Sequence, residues 1–195
     1  MTRFNTELWE LTERLFSPGE LEKMRSVVKA QPLDFDHLLD LDTTLGGACI
    51  TNVTDKSGNG QYAIGDRDVF RPLQYCAMYF YRKRNMAEIE WYTRDIVEMS
   101  GLHIESLLNR IGEFCGFTLG RALRDGRVRR RIGTETRAQA DEFRKIYNAA
   151  KHNVNHDKDT HLFSIEDAVL AYFVSRKLGQ ALYHLAKLRT IFATD

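Results

Sequence analysis

Arg144, Asn148, Lys151 and His152 are the residues whose types and spacing bear most directly on chemistry. Positions 144, 148 and 152 lie four apart, so on a helix their side chains share one face. That face differs from the apolar stripe Ala140, Phe143, Tyr147, Ala150. An imidazole on such a row can act as general acid or base, because its unperturbed pKa lies near neutrality. An arginine or lysine beside it can hold a phosphate. The plainer alternative is a solvated helix exterior, which is normally polar.

A second set is basic. Arg121, Arg124, Arg127, Arg129, Arg130 and Arg131 face only one acid, Asp125, in residues 121–131, a local charge of +5. Guanidinium forks bind phosphate oxygens bidentately, so such a tract points to nucleic acid or nucleotide. Only Phe117 lies nearby as an aromatic for base stacking. Residues 1–45 carry nine acids and five bases, a charge of −4. The alternative for the arginines is therefore pairing with this acidic segment, in the same chain or a partner chain.

A third set, His152, His156, Asp157, Asp159 and His161, gathers metal-ligand types within ten residues. Histidines at i and i+4 share a metal only if the helix continues, and Asn153, Asn155 and Asp157 favour its termination. A polar loop is the expectation, with no metal and no cofactor. There is no P-loop after Gly58-Asn59-Gly60, no nucleophile elbow and no zincin motif. Three dispersed cysteines, Cys49, Cys76 and Cys115, argue against a disulfide framework.

The elements that must position these residues are helical. The chain has 195 residues, enough for one domain with a real core, and 43% of them are apolar, which excludes a mostly disordered chain. The net charge is only +1, a cancellation between the acidic start and the arginine tract. The longest apolar runs, Ala77–Tyr81 and Ala168–Val174, fall far short of the roughly 20 residues of a membrane span. Without an apolar secretory core at Met1–Asn5 the expected location is the cytoplasm, away from any membrane.

Two short helices are expected at 5–16 and 18–30, the second opened by the capping box Ser17-Pro18-Gly19-Glu20. A third short segment follows Pro32, and the glycines of 46–68 suggest a small β-hairpin or an ordered loop. No proline follows Pro72. A stripe through Tyr75, Tyr79, Met86, Ile89, Thr93 and Ile96 predicts one helix over 69–100, broken at Gly101. Further helices are expected near 102–115, with Cys115 on the core face, and at 134–152. A last helix, capped by Ser164 and Asp167, is expected to run past 188. In it Arg176 and Gly179 continue the row Ile165, Val169, Tyr172, and a long arginine stem there is expected to reach solvent at the bundle edge rather than pair with a buried acceptor.

Asn148-Ala-Ala-Lys151-His152 at the end of a helix, followed by a polar loop and a capped long helix, resembles the HEPN superfamily of helical-bundle domains. His152 matches the family's motif histidine and Asn148 its polar residue. The motif arginine is not matched: Tyr147 precedes Asn148, and Arg144 leaves seven intervening residues, one more than the motif spans. The resemblance implies an all-α fold, a four-helix bundle over 69–195 with a small helical and loop extension at 1–68. It implies an RNA- or nucleotide-associated protein, often dimeric. If active, that would be a metal-independent ribonuclease of a toxin or defence type. In that role His152 would be the general acid/base, Asn148 would orient it or the scissile phosphate, and Lys151 or Arg144 would offset charge. The arginines of 121–131 would supply affinity. The competing expectation is a non-enzymatic scaffold that self-associates or binds a partner protein through its acidic and basic surfaces.

Overall fold

The computed structural model describes residues 2, 4–30, 33, 35–44, 67–83, 86–152 and 162–186. The segment 46–66 suggested as a hairpin or loop lies outside them. Among the described residues the chain is all-α, with ten helices and no strand.

Helix α1 (Asn5–Leu15) ends at a turn from which Ser17 opens α2 (Pro18–Lys29), its N–H donating to Glu20 Oε2 at 2.8 Å. α3 (Phe35–Thr44) follows. The middle of the chain forms α4 (Arg67–Lys83), α5 (Met86–Trp91) and α6 (Thr93–Gly112). Two short helices, α7 (Leu119–Arg124) and α8 (Gly126–Arg131), precede α9 (Thr134–His152) and α10 (Ile165–Tyr183).

Gly101 therefore does not end a helix, contrary to the expectation; α6 runs through it. A Cβ there would overlap the Tyr147 ring, so the glycine lets α9 approach α6 closely. The core face of α4 also differs from the expected stripe. Leu73, Cys76, Ala77 and Phe80 point inward, whereas Tyr75 is 40% exposed. Cys115 is exposed rather than in the core. α10 closes at Tyr183, with His184–Ala186 in a turn, short of the expected extension.

α6 is the central helix, packed against α4, α7, α9 and α10. α10 is enclosed more completely, since every residue from Asp167 through Arg176 is buried. Its first turn is tied down by Ser164 N–H donating to Asp167 Oδ2 at 2.8 Å and Asp167 N–H donating to Ser164 Oγ at 3.1 Å. α1 docks on that same turn: Asn5 Nδ2 donates to Asp167 Oδ1 at 3.1 Å and Trp9 Nε1 to Glu166 Oε1 at 2.6 Å. Leu8, Leu11, Met24 and Leu38 join the same buried cluster as the later helices. Among the described residues no helix is long and apolar enough to cross a membrane.

Candidate nucleic-acid interface

α9 carries the polar row, which extends further toward its N-terminus than the spacing 144, 148, 152 suggests. Asp141 and Arg137 continue it one and two turns back from Arg144. Arg137, Asp141, Arg144 and Asn148 are half-buried, whereas His152, at the last helical position, is exposed. Arg144 Nε donates to Asp141 Oδ1 at 2.7 Å. Its stem lies along α7 because position 120 is glycine; a Cβ there would come within 3.2 Å of Arg144 Cδ.

Lys151 points elsewhere. Its Nζ donates to the Tyr147 hydroxyl at 3.1 Å and lies 3.9 Å from Glu105 Oε1. Glu105 Oε2 in turn accepts the Leu119 N–H at 2.7 Å, so this group ties α6, α7 and α9 together. Burial, with the negative charge of Glu105, pushes the Tyr147 phenol well above its ordinary value and keeps it protonated. The C-terminal end of α9 is met by Arg94, a residue the spacing gave no reason to select. Its Nε donates to the Ala150 carbonyl at 2.7 Å, capping the negative end of α9.

The arginine tract is folded into α7 and α8, each opened by a side-chain cap. Thr118 Oγ1 accepts the Arg121 N–H at 3.4 Å, and Asp125 Oδ1 accepts the Arg127 N–H at 2.8 Å. All six arginines are exposed. Their aromatic setting is richer than expected. Phe114 and Phe117 stack with centroids 4.1 Å apart; Arg121 lies over Phe117 at 3.8 Å and Arg127 over Phe114 at 4.2 Å. The turn at Glu113, with φ of 56°, folds Phe114 back onto its neighbour, and Asn109 clamps Phe117 by accepting its N–H at 2.8 Å. Such a reversal is not visible in residue spacing.

Arg127 pairs with Asp125 at 3.3 Å and Arg131 with Glu113 at 3.5 Å. Among the described residues Arg124 and Arg129 have no acidic partner, and Arg130 makes no salt bridge, though its charge acts on Asp125. Pairing with the acidic N-terminal segment, the alternative raised by the sequence, is not seen among those residues. Glu13 pairs with Arg25 at 2.9 Å, Glu20 with Lys177 at 2.6 Å and Asp42 with Arg176 at 2.6 Å.

Tract and row meet in a groove of about 430 Å³ between α7 and α9, where Arg124, Arg137 and Arg144 converge with Asp141. His152 lies two turns beyond Arg144, about 12 Å along the helix. The opposite side of α9 faces α1 across an acidic groove of about 670 Å³. Glu7, Glu10, Glu13 and Glu142 line it, with Arg14 and Lys145.

Arg176 departs most from expectation. It is completely buried and does not reach solvent. Its Nε donates to Asp42 Oδ1 at 2.6 Å, and the Tyr172 hydroxyl donates to the same oxygen at 3.1 Å. Burial pushes the Asp42 carboxyl up, against the pull of Arg176. Arg176 Nη1 also donates to the Tyr183 oxygen at 3.5 Å. His103 Nδ1–H donates to the Val69 carbonyl at 2.7 Å, so its Nε2 accepts from the Tyr183 hydroxyl at 3.2 Å. Leu38, four residues before Asp42 and so on the same helical face, was the signal that this aspartate sits on an apolar side.

Of the His/Asp set at 152–161 only His152 is described; His156, Asp157, Asp159 and His161 lie outside the described residues. Among the described residues no group of three or more His, Cys, Asp or Glu side chains is placed to hold a metal ion. Comparison of the chain with family models, curated proteins and solved structures gave no match.

Proposed function

We propose that this chain is a cytoplasmic, RNA-associated bundle of the HEPN type, with metal-independent ribonuclease activity centred on His152. The observation that carries this reading is the tract on α7 and α8. Exposed guanidiniums without acidic partners, backed by a Phe114–Phe117 stack, suit a polyanion with bases. The tract runs into the groove that reaches Arg144, and the row continues to His152.

In the proposed reaction the ribose 2′-hydroxyl attacks the adjacent phosphorus, and His152 takes its proton. The P–O5′ bond breaks, leaving a 2′,3′-cyclic phosphate. The expelled 5′-oxygen takes a proton from water to become a hydroxyl while His152 gives its proton back to solvent. Asn148 orients the imidazole or the phosphate. Arg94, fixed on the Ala150 carbonyl, adds positive charge at the end of α9 that carries His152. Lys151, engaged with Tyr147 and Glu105, serves the packing of α9 in this reading rather than the phosphate. A dimer would bring two such faces together.

The test is incubation with total RNA beside His152→Ala. Cleavage by the natural protein and its loss in the variant support the reading; absence of cleavage by both removes the enzyme. Affinity that falls about 10³-fold or more between about 50 mM and 200 mM salt would keep the RNA-associated role without catalysis.

The second reading is a scaffold that joins copies or a partner protein through opposite charges. The acidic groove between α1 and α9 favours it, because it presents the sign complementary to the tract. A scaffold shows negligible RNA affinity and salt-sensitive self-association in sedimentation.

A further inference from the structure

We infer that the groove between α7 and α9 is a phosphate subsite for a nucleotide unit, with Arg137, Arg144 and Arg124 as its ligands. The inference rests on the RNA-associated reading and adds to it a defined pocket, a residue outside the tract, and a role for Arg144 apart from His152.

Elsewhere several arginines among the described residues each have an acid of their own. Arg110 pairs with Asp68 at 2.6 Å, Arg25 with Glu13 at 2.9 Å and Arg176 with Asp42 at 2.6 Å. Around the groove three arginines share one acid, Asp141. Arg137 is half-buried and has no acidic partner among the described residues. Converging cations repel one another, and partial burial strengthens that repulsion by lowering the effective dielectric. An anion seated between them removes the repulsion and gains charge-assisted hydrogen bonds.

The geometry favours phosphate over a simple counter-ion. Asp141 holds Arg144 through Nε, which leaves the two terminal nitrogens as a fork. Gly120 and Ala138 keep the groove open, having no side chain or a methyl. Its volume of about 430 Å³ exceeds what one phosphate fills and lies in the range of small-ligand pockets, leaving room for an attached ribose. The phosphate comes either from an RNA backbone or from a free mononucleotide, and the recognition chemistry is the same.

The experiment uses the full chain with two probes. Anisotropy of a labelled single-stranded RNA is titrated against salt, and thermal shift is measured with millimolar AMP. Arg137→Gln removes a ligand; Ala138→Trp fills the groove without changing charge. The pair Arg129→Gln, Arg130→Gln reports on the tract alone.

For a backbone phosphate, Arg137→Gln and Ala138→Trp each weaken RNA binding about 3- to 10-fold and lower the salt slope by about one. For a free nucleotide, both variants abolish the AMP-induced rise in Tm while RNA affinity stays unchanged. Either result supports the subsite. The subsite is overturned if neither variant moves either probe, including when the Arg129/Arg130 pair does weaken RNA binding, an outcome that leaves the RNA-associated role standing. If the natural protein binds no RNA, the underlying reading fails, and the AMP measurement alone decides the groove.

Discussion

The Asp42–Arg176 pair has no contact with water, so its value lies in mutual compensation. Removing one partner strands a buried charge, which costs about 3–5 kcal/mol. Asp42→Ala should therefore lower unfolding stability by that order, read from the urea midpoint. His103 gives the same cluster a pH dependence. Burial, with the charge of Arg176 adding to it, pushes the imidazole down from 6.5 to about 3. The unfolded chain binds a proton there that the folded chain refuses, so this contribution to stability is present above pH 6.5 and falls as pH drops toward 3. The loss is about 1.4 kcal/mol per pH unit within that window. Urea midpoints between about pH 7 and pH 5 should show this slope, and His103→Gln should flatten it. Gly179 completes the cluster, since a Cβ there would sit 2.6 Å from His103 Nε2 and 2.7 Å from the Tyr183 oxygen. Arg176 was legible as an oddity on an apolar row, but its partner lies 134 positions earlier, beyond the reach of any periodicity.

Elements whose signals are local were legible in the sequence. The span of α9 and both capping boxes follow from residues within one or two turns. In α10 the box does more than cap, because Asp167 also receives Asn5 from α1 and the Thr2 hydroxyl. Ser164→Ala should cost about 1 kcal/mol, the usual loss of a cap. Asp167→Ala should cost more, since it releases the N-terminal helix as well; denaturant midpoints of the two variants compare the effects. The break expected at Gly101 was misread because a glycine that stops a helix and a glycine that admits a neighbouring ring look alike in one dimension. Gly101→Ala, which helix propensity alone would favour by roughly 1 kcal/mol, should instead destabilise through overlap with Tyr147. The tract on α7 and α8 makes a prediction at this scale too. Neutralising Arg124, Arg129 and Arg130 together should reduce the salt slope of RNA binding by up to three, with little change in thermal stability, because all three side chains are exposed.

Across the whole molecule charge is sorted by side. α9 borders the acidic groove shared with α1 and the basic groove shared with α7, so a chain of net +1 presents two fields of opposite sign. Composition determined the class: no proline after Pro72, repeated 3.6-residue periodicity and adequate apolar content suffice for a helical bundle. It also placed the six arginines in one tract and Asn148 and His152 on one row, because neighbours in sequence stay neighbours on a helix. Only the tertiary structure decided what each of those groups faces. It turned Lys151 toward Glu105, set Phe114 on Phe117 beneath the arginines, brought Arg137 and Arg144 to Arg124 across a groove, and buried Arg176 on Asp42. Periodicity records which side of a helix is apolar; which other helix meets that side depends on long-range packing, and the partner in each of these contacts comes from elsewhere in the fold.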